Sequence, residues 1–254
     1  MVEQATENRC VGGSIPPLGT IIMKIKYISL ISLFFLISCD KKTENFFPIK
    51  KGIKWIYSIK IKSSYTGKED IKKLMILNVD SKSSKGFHQL SRLHSNGSFY
   101  KYNIDKNNRN VFRTSVLLAF DEGLVEPIKK LVYPDFEFKE KQWKIKEQLF
   151  LVRGFQPPLL NVKPRSQFEM NYKIKKRIKN YKTNGKVYSD CLKVKGTGKT
   201  SFIGDTRSGP INVEIINTEW ICIDVGLVKQ IRQENTNASA FGNMQFSKHL
   251  VDFK

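Results

Sequence analysis

Apolar and polar side chains alternate with a period of two through most of the chain. In "IKWIYSIKIK", Ile53, Trp55, Tyr57, Ile59 and Ile61 fall on one face. Lys54, Ser58, Lys60 and Lys62 fall on the other, with Ile56 the exception. Successive side chains of a strand point to opposite faces, so the pattern predicts a half-buried strand. "MNYKIKKRIKN" repeats it, with Met170, Tyr172, Ile174 and Ile178 inward and Lys173, Lys175, Arg177 and Lys179 outward. Turn clusters such as "SSYTGKED", "DSKSSKG", "DKNNRN" and "GDTRSGP" separate these runs. Two more, "HSNGS" and "KTNGK", carry Asn-Gly, a strong hairpin signal. Strands at hairpin spacing predict a mainly β fold: a single curved antiparallel sheet or half-open β-barrel, with at most one or two short helices. One helix is expected in "LLAFDEGLVEPIKKLVYPD", where the alternation breaks, ending before Pro134. "RGFQPPLLNVKP" reads as a Pro-rich loop.

One stretch follows another rule. Tyr27–Ser38 is an uncharged run that stops at Cys39-Asp40. It is short of the roughly 20 apolar residues a membrane-spanning helix needs. Lys24 and Lys26 precede it, and Leu36-Ile37-Ser38-Cys39 closes it. A basic start, a short apolar core and small residues at the exit describe an export signal. "LISC" matches the bacterial lipobox, whose cysteine is lipidated and becomes the first residue. Cys39 is therefore the expected lipidation site. Two or more acyl chains make a stable anchor, at about 0.8 kcal/mol per buried CH₂. Residues 1–22 carry no export signal, and "GGSIPPLGT" resembles a transfer-RNA gene read in frame, so translation is expected to begin at Met23. The expected organisation is a leader at 1–22, a signal peptide at 23–38, a lipidated tether at 39–45 and a single β-rich periplasmic domain at 46–254. Asp40 resembles a sorting signal that retains lipoproteins at the inner membrane, which favours that membrane over the outer one.

Export changes the meaning of the charge. The chain carries +21. Residues 1–38 hold Arg9, Lys24 and Lys26 against Glu3 and Glu7, leaving +20 for the mature part. On a cytoplasmic protein this would suggest nucleic acid. Here the chain is exported and its lysines are spread along alternating strands, so no nucleic-acid partner is expected. Export also leaves Cys191 and Cys222 as an even pair in an oxidising compartment, and either a disulfide or two buried thiols fits them.

Candidate chemistry is sparse. "KGTGKTS", Lys195–Ser201, mimics the end of a phosphate-binding loop, but position 193 is Lys where that loop needs Gly, and a turn follows instead of a helix. His88, His94 and His249 lack metal-ligand spacing, so no metal is expected. Asp121, Glu122, Glu126 and Asp135 read as a solvated acidic loop. No G-x-S-x-G occurs. A non-enzymatic protein without a cofactor is expected. Trp55, Trp143 and Trp220 suit either a core or the lining of an apolar cavity.

Phe46–Ile59, "FFPIKKGIKWIYSI", resembles the "YPLKVGNxWxY" opening of uncharacterised bacterial envelope lipoproteins. Asp190–Gln230, with "CLKV" and "DVGLVK", resembles their closing part. Gly52, Trp55, Tyr57, Leu192, Val194, Trp220, Gly226, Leu227, Val228 and Lys229 carry the likeness. That family is in turn similar to Lol-type lipoprotein carriers. The resemblance implies a half-open barrel that binds a lipid or acyl chain. The alternative is an interaction module of an envelope assembly with a protein partner and no small ligand.

Overall fold

The alternation is realised as twelve strands in the computed structural model. It describes residues 44–118, 129–136, 142–149, 151–152, 167–203, 209–239 and 241–254. Cys39 and the leader, signal and most of the tether lie outside the described residues, as do Asp121, Glu122, Glu126 and the Pro-rich loop. Glu44–Lys254 forms one unit. Its strands are β1 (Lys54–Ser63), β2 (Glu69–Ser83), β3 (Phe87–His94), β4 (Phe99–Asp105), β5 (Val111–Leu117) and β6 (Lys130–Tyr133). The second half has β7 (Gln142–Gln148), β8 (Gln167–Thr183), β9 (Lys186–Ile203), β10 (Pro210–Cys222), β11 (Gly226–Thr236) and β12 (Asn243–Phe253). No helix occurs among the described residues.

All the ladders are antiparallel, in the order β6-β5-β4-β3-β2-β1-β12-β11-β10-β9-β8-β7. Each half is a meander of neighbouring hairpins, and the β1–β12 ladder joins them. The sheet therefore curls into a nearly closed barrel whose seam lies between β6 and β7. There the Trp143 indole N–H donates to the Val132 carbonyl at 3.2 Å.

Cross-strand register fixes which side chains enter the barrel. In β10, Ile211, Val213, Ile215, Asn217, Glu219 and Ile221 are buried, while Asn212 and Glu214 are exposed. Trp55 and Tyr57 are buried on β1, as the period-two reading requires. Asn184-Gly185 makes the two-residue β8–β9 hairpin, with both residues at positive φ.

Two expectations are corrected. The segment expected to be helical is strand at both ends, in β5 and β6, and its middle, 119–128, lies outside the described residues. The β8 pattern holds only as far as Ile174. A bulge between Ile174 and Lys176 inserts one residue and reverses the parity beyond it. Ile178 then faces Cys191, whereas Arg177 and Lys179 both reach Asp190.

Gly196 and Gly198 of the phosphate-loop mimic lie in the middle of β9, where their missing side chains make room for β8. A methyl on Gly196 would lie 2.5 Å from the Tyr172 ring, and one on Gly198 would lie 2.5 Å from the Met170 sulfur. Cys191 and Cys222 are direct cross-strand partners and form a disulfide, with Cα atoms 4.0 Å apart. The segment after Glu44 crosses the barrel end where β1 begins. Phe46 packs edge-on against Phe136 at 5.6 Å, and the Pro48 carbonyl accepts hydrogen bonds from Asn78 and Arg92.

Candidate functional site

The charged groups inside the barrel come from positions in phase with apolar ones. Glu219 follows Ile215 and Asn217 on β10, Arg232 and Glu234 follow Val228 on β11, and Lys248 precedes Leu250 on β12. The ladders align them. One inward row reads Trp143, Tyr172, Gly196, Asn217, Arg232, Phe246 and Ile61. The next reads Ile174, Val194, Glu219, Gln230, Lys248 and Ile59.

On the β7–β11 side these groups satisfy one another. Tyr133 donates its hydroxyl to Glu219 at 3.1 Å, and Asn217 donates to the other Glu219 oxygen at 2.9 Å. Tyr172 donates to Glu147 at 3.0 Å and accepts from Asn217 at 3.1 Å. Arg232 pairs with both Glu147 and Glu234. Glu234 also accepts the backbone N–H groups of Leu151 and Val152 at 3.1 and 3.0 Å. Arg232 is 2% exposed and Glu234 0%, so this is a fully buried ion pair with its remaining valences filled. Burial raises the Glu219 carboxyl above its ordinary range, against the lowering effect of the Asn217 and Tyr133 hydrogen bonds.

The β1–β4 and β12 side is basic. Arg92 donates from Nε to Asn78 at 2.9 Å, and its guanidinium lies over Phe47 at 4.0 Å and Trp55 at 4.7 Å. His94 rests on Tyr100, with ring centroids 4.4 Å apart. The Lys248 ammonium lies 4.2 Å from the Tyr57 ring centroid and has no salt-bridge partner among the described residues. Burial pushes Lys248 down to about 8, Glu219 drawing it up and Arg92 pushing it further down. Burial, with help from Lys248 and Arg92, pushes His94 down to about 3.

Tyr172, Trp55 and Trp143 thus line the interior, whereas Trp220 sits on the opposite face of β10. His88, His94 and His249 form no metal cluster, and no group of three potential ligands occurs among the described residues. The interior charges were missed from sequence. Their signal was a charged residue in phase with apolar neighbours, at Glu219, Arg232, Glu234 and Lys248.

No protein-family model matches the chain, and no curated protein matches it. Two solved structures overlap it. One is described as an exported protein with a YmcC-like fold from Bacteroides fragilis, with a TM-score of 0.40, 9% identity and coverage of 83% of this chain and 99% of that one. The other is described as a lipoprotein from Parabacteroides distasonis, with a TM-score of 0.39, 13% identity and the same coverage. At that overlap and identity, neither likeness bears on function.

Proposed function

We propose that this is a lipid-anchored protein of the bacterial envelope, facing the periplasm, held by Cys39, that binds a lipid-like amphiphile with an anionic head group inside its barrel and performs no catalysis. The observation that carries the reading is Lys248. Its ammonium sits on the inner wall, largely out of water, against an aromatic face and without a carboxylate in contact. Ile59 shares its row, and Ile61 lies in the adjacent one. Both point inward yet stay half-exposed. Eight strands already enclose enough space for side chains or one small ligand, and twelve enclose more. An apolar wall beside a cation with no salt bridge among the described residues suits an acyl chain that ends in a carboxylate or phosphate.

Native mass spectrometry of the protein taken from its own membrane fraction tests this. The expected result is a discrete extra mass, lost on denaturation and absent from Lys248→Met. A bare wild-type protein, or a Lys248→Met variant that keeps the mass, sinks the ligand reading. A second reading is an interaction module without cargo. The filled state of the β7–β10 side favours it: Leu149, Met170 and Val194 are wholly buried there. A half-open pocket of about 330 Å³ lies elsewhere, between Lys62, Glu69, Gln233 and Asn243.

A further inference from the structure

The outer face of β8–β11 opposes like charges. Lys173 faces Lys195 and Lys176 faces Lys193 across the β8–β9 ladder. Trp220 faces Lys193 on one side and Lys229 on the other. Both ammonium groups lean over its ring, at 5.3 and 5.0 Å from the centroid. Like charges placed directly across a ladder destabilise it. Elsewhere on the same sheet, cross-strand neighbours pair as ions, as in Lys144–Glu169 and Lys199–Glu214. Among the described residues no salt bridge reaches any of these five lysines. The face therefore has a local repulsion that an external anionic surface would relieve, around an indole half-buried in lysine stems.

The start of the unit lies at the same end of the sheet as this face. Glu44 is ion-paired to Arg177, which adjoins Lys176 in sequence and points to the opposite face of β8. Cys39 precedes Glu44 by five residues, and an extended chain spans at most about 3.6 Å per residue, so the two are within roughly 18 Å. We propose that this face docks on the anionic phospholipid head groups of the membrane that holds the anchor. The proposal rests on the reading of Cys39 as lipidated. Lysines near an anionic surface contribute additively, and an indole prefers the boundary between head groups and acyl chains.

The test uses full-length lipidated protein in nanodiscs made with brominated phospholipids, either zwitterionic alone or mixed with anionic lipid. Trp55 and Trp143 are 3% and 7% exposed, so collisional quenching of tryptophan emission reports on Trp220. Quenching is expected in the anionic bilayer, fading as salt is raised. It is expected to vanish in K176E/K193E/K229E and to persist in K101E/K106E, which reverses charges on β4 and the turn after it. Circular dichroism checks that each variant folds, and K193Q/K229Q replaces the triple variant if it does not. Equal emission in both bilayers, or unchanged quenching in the folded variant, overturns the proposal. So does a soluble polyanionic wall polymer that displaces the face from the bilayer at matched charge. An unmodified Cys39 in the intact mass sinks the anchor reading itself, whereas a lipidated Cys39 without quenching sinks the docking alone.

Discussion

At pH 7 Lys248 is charged in both the folded and the unfolded chain, and only the folded chain bears the loss of water around it. Its folded value of about 8 lies below the ordinary 10.5, so the folded state binds the proton less well. The difference amounts to roughly 3 kcal/mol of destabilisation below pH 8. It fades between about pH 8 and 10.5, where the folded lysine is already neutral and the unfolded one is losing its proton. Lys248→Met is therefore expected to raise the denaturation midpoint at pH 7, with the gain shrinking as pH approaches 10.5. A lower midpoint at pH 7 would mean that the ammonium has a stabilising partner. Such a gain would also explain the lysine as a residue kept for binding. Gly196 is a contrasting case, in which function has no part. The Tyr172 ring covers it, and the Tyr172 hydroxyl is tied to Glu147 and Asn217, so the ring has little room to retreat. Gly196→Ala is expected to cost roughly 1–3 kcal/mol. Most of that cost should disappear in a Tyr172→Ala background. A double-mutant cycle from chemical denaturation checks this, and additive costs would rule the contact out.

Among the strands, β11 carries the buried ion pair Arg232–Glu234. Removing the Glu234 charge leaves Arg232 with Glu147 still beside it, but takes the anionic acceptor from the Leu151 and Val152 N–H groups. Glu234→Gln is expected to destabilise by roughly 1–3 kcal/mol, measured by urea denaturation. A loss within error would show that Glu147 alone compensates Arg232. Most strands were legible because alternation and Asn-Gly turns are local signals, and Ile53–Ile61 and Asn184-Gly185 needed no tertiary information. The segment read as a helix was not, because its strand part, Lys130–Tyr133, is a four-residue run at the seam end of the sheet, too short to show its period. The fate of Arg177 and Ile178 was hidden by one bulged residue, since a single insertion moves every later side chain to the other face. Glu234 and Arg232 were readable as charges out of place. Their partner Glu147 lies more than eighty residues away, and only the register of five strands brings it near.

For the molecule as a whole, the ring of ladders lacks one link. Each hairpin holds its neighbour, and β12 closes on β1, the first strand of the domain, so folding is complete only when residues about 190 apart pair. The seam between β6 and β7 has no such ladder. β6 is four residues long, and the Trp143 N–H spans to it. That makes the seam the place where the barrel opens at least cost, since local opening follows the fewest buried bonds. Trp143→Phe keeps an aromatic ring to stack on Tyr172, now 5.4 Å away, and removes only the bridging donor. One hydrogen bond is worth about 1 kcal/mol, so the global midpoint is expected to move little. Amide exchange across Lys130–Tyr133 and Gln142–Gln148 is expected to accelerate several-fold, while β1, β12 and β11 keep their protection. Uniform acceleration across all twelve strands would show instead that the seam opens only with the whole barrel. An amphiphile bound at Lys248 would then have to enter through an end of the barrel, because no wall would part ahead of the rest.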